Sequence, residues 1–221
     1  LAPMWREVLD ADTHRPAAGS TVARVIDGSV DQHRLSVIAG VANTGTDRNW
    51  CGHQLAPANW YAYGRLAWDH TLTAAAHADE WTRQTFSNEP RVTQPITTLL
   101  LASREAVVNY SMPLGLHHLM AEGHHQGPGP WVTGLGRADW NSTYYHRADT
   151  KGLGFDRTAT GSNALGQYAP AAAHLWSDPA TCPEEYLLWF HHVPWDHQMR
   201  SGQTLWDELC LRYQSGVDAV R

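Results

Sequence analysis

Apolar residues recur at helical spacing along most of the chain. Segments 56–68, 72–86 and 95–110 repeat apolar side chains every three or four residues, the spacing that places them on one face of an α-helix. Pro95 suits the first turn of the third segment, and Pro113 follows its end. We therefore predict three consecutive helices in this part of the chain.

The C-terminal third carries the same period with more interruptions. Segment 163–176 is rich in alanine and is broken near Pro170, whereas segment 204–217 has an uninterrupted apolar stripe. Between them, the sequence Thr-Cys-Pro-Glu at 181–184 matches a capping box, and Pro194 lies where the helix that it opens would end. These patterns predict three more helices.

One segment near the start is apolar without helical period. Residues 35–42, LSVIAGVA, form a short run of small and branched apolar side chains, followed by the polar loop 43–53. Such a run is typical of a strand covered on both faces, although a buried helix gives the same pattern. At the carboxyl end of a barrel or parallel-sheet strand, the loop is the place where sites form. By this topology Asn43, Arg48 and Trp50 are candidate site residues.

The segment 115–157 has neither helical nor strand period. It combines glycines with two histidine pairs and several aromatic side chains, and a loop this long and aromatic is expected to be ordered and functional. Histidines that donate hydrogen bonds to ligand hydroxyls or fix loops explain the pairs better than a metal, because no cysteine cluster accompanies them. The candidate site residues here are His117, His118, His124, His125, Trp140, Tyr144 and Arg147.

Composition favours a carbohydrate ligand over a nucleic acid. The chain has 11 Trp and 8 Tyr against 3 Phe, and rings with a polar edge suit sugars, which offer both apolar faces and hydroxyl groups. Its formal net charge is -6, and Lys151 is its only lysine, so the sequence predicts no phosphate-binding stripe. No apolar run is long enough to span a membrane. We expect neither a nucleic-acid partner nor a membrane-spanning segment.

The three cysteines, Cys51, Cys182 and Cys210, are too widely spaced for a metal knuckle and too few for a disulfide framework. We expect free thiols, no metal and no cofactor, and the compartment stays open. The chain starts at Leu1 and ends at Arg221 within a helical pattern, so we expect it to be part of something longer.

Long motifs along nearly the whole chain resemble one enzyme family. The segments NWCGHQLAPANWYAYGRLAWD (49–69), SREAVVNYSMPLGLHH (103–118), GHHQGPGPW (123–131), DWNSTYYHRAD (139–149), GFDRTATGSNA (154–164) and CPEEYLLWFHHVPWD (182–196) are similar to the C-terminal region of the family 67 α-glucuronidases. Motifs of this length, rich in Trp and His, are specific. The chain is therefore identified as resembling that region.

The resemblance implies a fold and a domain organisation. Family members have a β-sandwich, a central (β/α)8 barrel and a mainly α-helical C-terminal region packed on the barrel. We expect residues 1–54 to end the barrel, with 35–42 as its last strand, and 55–221 to form the mainly helical region. A homodimer through the last helices and contacts with the upstream barrel and sandwich of the same polypeptide are also expected.

The resemblance also implies an activity. Such enzymes release glucuronic acid, or its 4-O-methyl ether, from the terminal xylose of glucuronoxylan-derived oligosaccharides, with inversion and without a metal. The catalytic carboxylates of the family lie on barrel strands upstream, so no residue here is assigned as catalytic, and this segment completes the substrate pocket. Trp140, within the DW…YYHRAD motif, is expected near the 4-position of the sugar.

Two alternatives remain open from the residues themselves. Arg147 and Arg157 lie one or two residues from Asp149 and Asp156, so they either bind a uronate carboxylate or pair with these aspartates, and we favour internal pairing. For the chain as a whole, a non-catalytic carbohydrate-binding or dimerisation domain is the alternative to part of a hydrolase.

Overall fold

The computed structural model describes residues 2–41, 46, 54–117, 119–122 and 127–221. Within these residues the protein is mainly helical, and its single sheet has two short strands. The chain divides into two compact units, residues 1–104 and 105–221, with the boundary inside a long helix. In the described part, no helix is long and apolar enough to cross a membrane.

The first unit is built from helices around two small cores. Its elements are α1 (Ala2–Asp10), α2 (Val22–Ile26), α3 (Pro57–Trp68), α4 (Ala74–Thr85) and the first part of α5 (Pro90–Ser111). Trp81 and Leu100 lie in one core with small alanines of α1, α3 and α4, and Leu9 and Leu66 lie in the other. The predicted helices 56–68 and 72–86 are confirmed within two residues at each end.

The starts of these helices follow from the sequence. Thr73 caps α4 by accepting a hydrogen bond from the Ala76 amide at 3.2 Å. In α5, however, Pro90 occupies the first position and Pro95 lies inside the helix. The prediction of a start at Pro95 was wrong, because Pro90 already takes the position at which a missing amide costs nothing.

The described part of the predicted strand, residues 35–41, lies outside any helix or strand. Leu35, Val37 and Val41 are 87%, 77% and 90% exposed. A strand needs neighbouring strands to pair with, and the first unit supplies none among its described residues. Membership of a barrel therefore stays a prediction.

The second unit combines short helices with a two-stranded sheet. Its elements are α6 (Ser142–His146), α7 (Pro170–Trp176), α8 (Leu187–Phe190), α9 (Leu205–Ala219), β1 (Gly152–Leu153) and β2 (Val193–Pro194). The strands pair antiparallel, with Gly152 opposite Pro194 and Leu153 opposite Val193. The largest core contains apolar side chains from these strands, α8, α9 and a 3-10 turn at Pro113–Gly115.

Two predicted helices of this unit are confirmed and one is shorter than predicted. The segment 163–176 is interrupted at Pro170 as predicted, and α9 begins after Thr204, which accepts from the Asp207 amide at 3.2 Å. The capping box at 181–184 was wrong: the Thr181 hydroxyl donates to the Leu175 carbonyl, 2.8 Å away. The helix there, α8, ends at Phe190, because β2 begins at Val193.

Candidate functional site

Aromatic and arginine side chains of the second unit form a cluster that is partly exposed. The imidazole of His117 stacks with two rings: its centroid lies 4.0 Å from that of Tyr145 and 5.5 Å from that of Trp189, and both pairs are nearly parallel. Tyr144 meets Tyr145 edge to face at 5.1 Å. The structure thus brings His117 and Tyr144, two sequence-predicted site residues, into one cluster.

Two arginines extend this cluster over the ring of Phe155. The guanidinium carbon of Arg147 lies 4.6 Å from the centroids of both Tyr144 and Phe155. That of Arg157 lies 4.5 Å from Phe155 and 3.9 Å from Trp189. A guanidinium within about 6 Å of a ring centroid is held by cation–π attraction. The rings therefore fix both cations in position, and the cluster as a whole offers flat apolar faces next to positive charge.

Neither arginine pairs with the neighbouring aspartates. Among the described residues no carboxylate lies within salt-bridge distance of either guanidinium; Arg137, by contrast, binds Asp139 with two hydrogen bonds of 3.0 and 2.7 Å. The carboxylates of Asp149 and Asp156 accept hydrogen bonds from backbone amides and from threonine hydroxyls instead. The internal pairing that the sequence favoured for Arg147 and Arg157 was wrong, because backbone amides and hydroxyl groups reach these carboxylates first.

Asp149 accepts hydrogen bonds from the amides of Lys151 and Gly152, at 2.7 and 3.0 Å, which lower the pKa of its carboxyl. Burial raises the pKa of the Asp156 carboxyl, but hydrogen bonds from the hydroxyls of Thr158 and Thr160 outweigh it, so the pKa is lowered. Both side chains are held as turn-forming acceptors. Neither is arranged as a proton donor.

The local fold places Arg147 at a strained position. It follows the last residue of α6 with φ of 51°, in the left-handed region that non-glycine residues rarely adopt. The buried His146 fixes this turn: its Nε2 donates to the Pro130 carbonyl at 2.7 Å, and its Nδ1 accepts from the Ala148 amide at 2.9 Å. The imidazole therefore secures the backbone on both sides of Arg147.

Arg157 is anchored from two directions. Its guanidinium Nη1 donates to the Trp189 carbonyl, and its amide donates to the Phe190 carbonyl at 2.9 Å. The pKa of this half-buried guanidinium is lowered, chiefly by burial and in part by the positive charge of Arg147. Burial likewise raises the pKa of the Tyr145 phenol.

Close backbone approach explains two glycines beside the cluster. A Cβ on Gly152 would lie 2.1 Å from the Val193 carbonyl oxygen, and one on Gly154 would lie 2.1 Å from that of His191. Gly154 also has φ of +103°. The Gly154 carbonyl accepts a hydrogen bond from Nδ1 of His192 at 2.9 Å, which links the segments that contain β1 and β2 next to Phe155.

Trp140 lies on the surface of the same unit. It is 45% exposed at the end of a 3-10 turn, with the guanidinium carbon of Arg137 5.5 Å from its ring centroid. Trp131 is 76% exposed. Rings this exposed do not belong to a core of the described residues.

Six candidate residues fall outside the described part of the chain: Asn43, Arg48, Trp50, His118, His124 and His125. Of the others, His117, Tyr144 and Arg147 meet in the aromatic cluster. Among the described residues, Trp140 has no recorded ring contact with this cluster and instead lies against Arg137. Sequence reasoning missed Tyr145, Phe155 and Trp189 as partners. Only the tertiary fold brings Trp189 to the guanidinium group that also lies over Phe155, that of Arg157.

The second unit also has an apolar pocket of about 220 Å³, lined mainly by hydrophobic side chains such as Leu116, Leu153, Trp195, Trp206 and Tyr213. Burial raises the pKa of the Tyr213 phenol to about 12. Few polar groups line this pocket, so it does not suit a sugar. Within the described residues no group of three His, Cys, Asp or Glu side chains is arranged to hold a metal ion.

Comparison with known families gives two matches that together cover the chain. Residues 51–221 match the model of the glycosyl hydrolase family 67 C-terminus, and residues 1–50 match that of the family 67 middle domain. The chain is thus similar to two consecutive parts of these hydrolases.

Individual relatives are similar over the same length. The chain is 38% identical to alpha-glucuronidase A of Emericella nidulans over 93% of its residues, and 36% identical to alpha-glucuronidase A of Aspergillus tubingensis over all of them. It is 37% identical to the probable alpha-glucuronidase A of Aspergillus oryzae, again over its full length. These matches cover 24% to 26% of the relatives, so the chain spans about a quarter of their length.

Proposed function

Since the chain belongs to glycosyl hydrolase family 67, we propose that it is the C-terminal part of a xylan α-1,2-glucuronidase. The whole protein hydrolyses the bond between (4-O-methyl)-glucuronic acid and the terminal xylose of xylo-oligosaccharides, with inversion. The observation that carries the proposal is the similarity to relatives named alpha-glucuronidase A along the chain.

In this proposal the chain supplies binding and positioning groups, and upstream residues supply the chemistry. An inverting glycosidase needs one protonated carboxyl and one carboxylate on opposite sides of the bond, with room for water between them. Asp139, Asp149 and Asp156 are each held by a cation or by hydrogen bonds and do not form such a pair. Residues 35–42 then form the last strand of the upstream barrel, where neighbouring strands satisfy their backbone groups.

The direct test is turnover by the intact polypeptide. Incubation with aldouronic acids should release glucuronic acid, measured by chromatography, whereas the same polypeptide cut after residue 104 should release none. Absence of turnover by the intact protein, together with binding of the oligosaccharides, would favour the alternative, a non-catalytic carbohydrate-binding domain.

We place Trp140 in the wall of the sugar pocket, near the 4-position of glucuronic acid, because its ring is exposed on an irregular segment. Loss of a ring from a desolvated pocket costs about 2–4 kcal/mol of transition-state stabilisation. Trp140→Ala in the intact protein should therefore lower kcat/KM on methylated and unmethylated substrates by unequal factors. Trp68→Ala, which removes an 87% exposed ring in α3, is the matched control. Unchanged kinetics, or a loss explained by a lower Tm, would exclude Trp140 from the site.

The proposal includes a homodimer through the last helix. Leu211 is 53% exposed on α9, and Val220, directly after it, is 59% exposed. Light scattering on the intact protein should give twice the monomer mass, and Leu211→Glu should weaken the dimer, whereas Gln214→Glu on the same helix should not. A monomer at all concentrations would remove this part of the proposal.

A further inference from the structure

A polar pocket of the second unit takes no part in the aromatic cluster. Its volume is about 320 Å³, within the range of about 300–1,000 Å³ in which proteins bind small molecules. Its polar lining includes Asp178, Glu184, His197 and Arg200, and its apolar lining includes Leu187, which is 2% exposed. None of its lining residues belongs to the aromatic cluster. The pocket therefore needs an explanation of its own.

Hydrogen bonds between backbone and side chains hold the two segments that line this pocket. Within segment 178–184, the Cys182 amide donates to the Asp178 carbonyl at 2.8 Å. Arg200 joins the second segment to the first: its amide donates to Oε1 of Glu184 at 2.8 Å, and its Nη2 donates to the Cys182 carbonyl at 3.0 Å. The fold thus builds the pocket without a ligand, so a ligand does not have to order it.

Several polar groups of the pocket keep unused hydrogen-bonding capacity. No described residue forms a hydrogen bond with the imidazole of His197, which is partly buried. One carboxylate oxygen of Asp178 accepts from the Ala180 amide at 2.9 Å, and one of Glu184 accepts from the Arg200 amide. In the described part of the chain, the other oxygen of each carboxylate, and Nε and Nη1 of Arg200, have no partner.

The charges in this pocket favour a neutral ligand. Asp178 and Glu184 are negative and Arg200 is positive, so a compact anion or a compact cation would be repelled by part of the lining. Among the described residues, no group of three His, Cys, Asp or Glu side chains is arranged to hold a metal ion. A sugar can donate hydroxyl hydrogens to the carboxylates and accept from the guanidinium, while its C–H surface contacts Leu187.

We propose that the polar pocket binds a neutral sugar unit, a xylose of the xylan-derived oligosaccharide. This inference rests on the proposed function for the identity of the sugar. It deepens that function, because it assigns the uncharged part of the oligosaccharide to residues 178–187 and 197–200. His197 forms a hydrogen bond with a hydroxyl group of the sugar, and Arg200 donates to a second one.

The test is calorimetric titration of the intact protein with xylotriose, which carries no uronic acid. Wild type should bind xylotriose, and His197→Ala should weaken the binding about 10-fold, the size expected for a lost hydrogen bond to a ligand. His174→Ala removes an exposed histidine of α7 that does not line the pocket, so it is the matched control and should leave Kd unchanged. An unchanged Kd in His197→Ala would overturn the inference.

A second variant blocks the pocket without removing a polar group. Ala180→Phe adds a ring to the lining and should lower the xylotriose affinity at least 10-fold, whereas Ala171→Phe, at an exposed position of α7, should not. Wild-type affinity in Ala180→Phe would overturn the inference. If a pocket variant does not fold, a crystal structure of the wild-type protein with xylotriose decides: sugar in the pocket supports the inference, and sugar bound only elsewhere overturns it.

Titration with glycine separates a sugar pocket from a pocket for a zwitterion, which also suits charges of both signs. Binding of glycine without binding of xylotriose would overturn the inference. Failure of the proposed function gives a different result. If the intact protein releases no glucuronic acid from aldouronic acids but binds xylotriose, and both pocket variants weaken that binding, the pocket is supported without the hydrolase. Release of glucuronic acid without xylotriose binding overturns the pocket and leaves the hydrolase.

Discussion

The tripeptide Arg-Ala-Asp occurs twice in the chain, at 137–139 and 147–149, and the two copies form different interactions. In the first, the exposed Arg137 binds Asp139 in a bidentate pair. In the second, Arg147 stacks on Tyr144 and Phe155, while Asp149 accepts two backbone amides. An identical local sequence thus gives a neutral pair in one place and an available cation in the other.

The surroundings account for the difference. Both copies are exposed, and in the first the side chains of Arg137 and Asp139 lie close enough across a 3-10 turn to pair. The second lies between α6 and β1, where buried His146 and the close contacts of Gly152 and Gly154 fix the backbone before the side chains choose partners. A surface salt bridge contributes little to stability, whereas this packed turn has many contacts to lose.

The largest expected effect is the loss of stability when a glycine close to the second copy is replaced, compared with a glycine next to the first copy. Gly154→Ala would place a Cβ 2.1 Å from the His191 carbonyl oxygen at a φ of +103°, so we expect a loss of about 3–4 kcal/mol of unfolding free energy, as for other severe backbone clashes. Gly136→Ala, next to the first copy, meets nothing within 4 Å and should be neutral. Denaturant unfolding of the intact protein measures both, and similar losses in the two variants would contradict this account.

The second largest effect is expected from loss of the buried imidazole of His146, which directly precedes the second copy. His146→Ala removes hydrogen bonds to both the Pro130 carbonyl and the Ala148 amide, and should cost about 2–3 kcal/mol, since these part-buried groups lose their partners. His174→Ala, on an exposed position of α7, is the control. A Tm unchanged by His146→Ala would mean that this histidine does not hold the turn.

The arginine and aspartate of the two copies should couple differently in a double-mutant cycle. Arg137→Gln and Asp139→Asn should show a small positive coupling that salt reduces, because the two side chains bind each other. Arg147→Gln and Asp149→Asn should show no favourable coupling. A coupling of equal size at both copies would return Arg147 to an ordinary salt bridge.

The smallest effect is on acid stability. Hydrogen bonds from Lys151 and Gly152 lower the pKa of Asp149 in the folded protein below its usual 3.8. A lowered folded-state pKa gives stability that is present above pH 3.8 and is lost as the pH falls through the lowered value. Asp149→Asn should therefore flatten the fall of Tm below that pH. A curve parallel to wild type would contradict this assignment.

Much of the helical fold could be predicted from the sequence, because apolar spacing and capping residues act locally. Pro170 and Thr204 stand at element boundaries as the patterns indicate. The start at Pro95 and the capping box at 181–184 were wrong, since several residues there offer competing starts. The strand at 35–42 depends on pairing partners, which a local pattern cannot supply.

The site was predicted in part. His117, Tyr144 and Arg147 were chosen as polar and aromatic residues on an irregular segment, and they do meet. The pairing of Arg147 and Arg157 was wrong, because distance along the sequence does not show that amides already occupy Asp149 and that Thr158 already binds Asp156. Trp189 joins the cluster through a contact across more than thirty residues, which periodicity does not encode.

The central claim is that the two copies of Arg-Ala-Asp form different interactions, and a crystal structure of the intact protein tests it most directly. The account predicts the Arg147 guanidinium over the rings of Tyr144 and Phe155, with Arg137 bound to Asp139. A salt bridge between Arg147 and Asp149, or an Arg137 that does not touch Asp139, would contradict it.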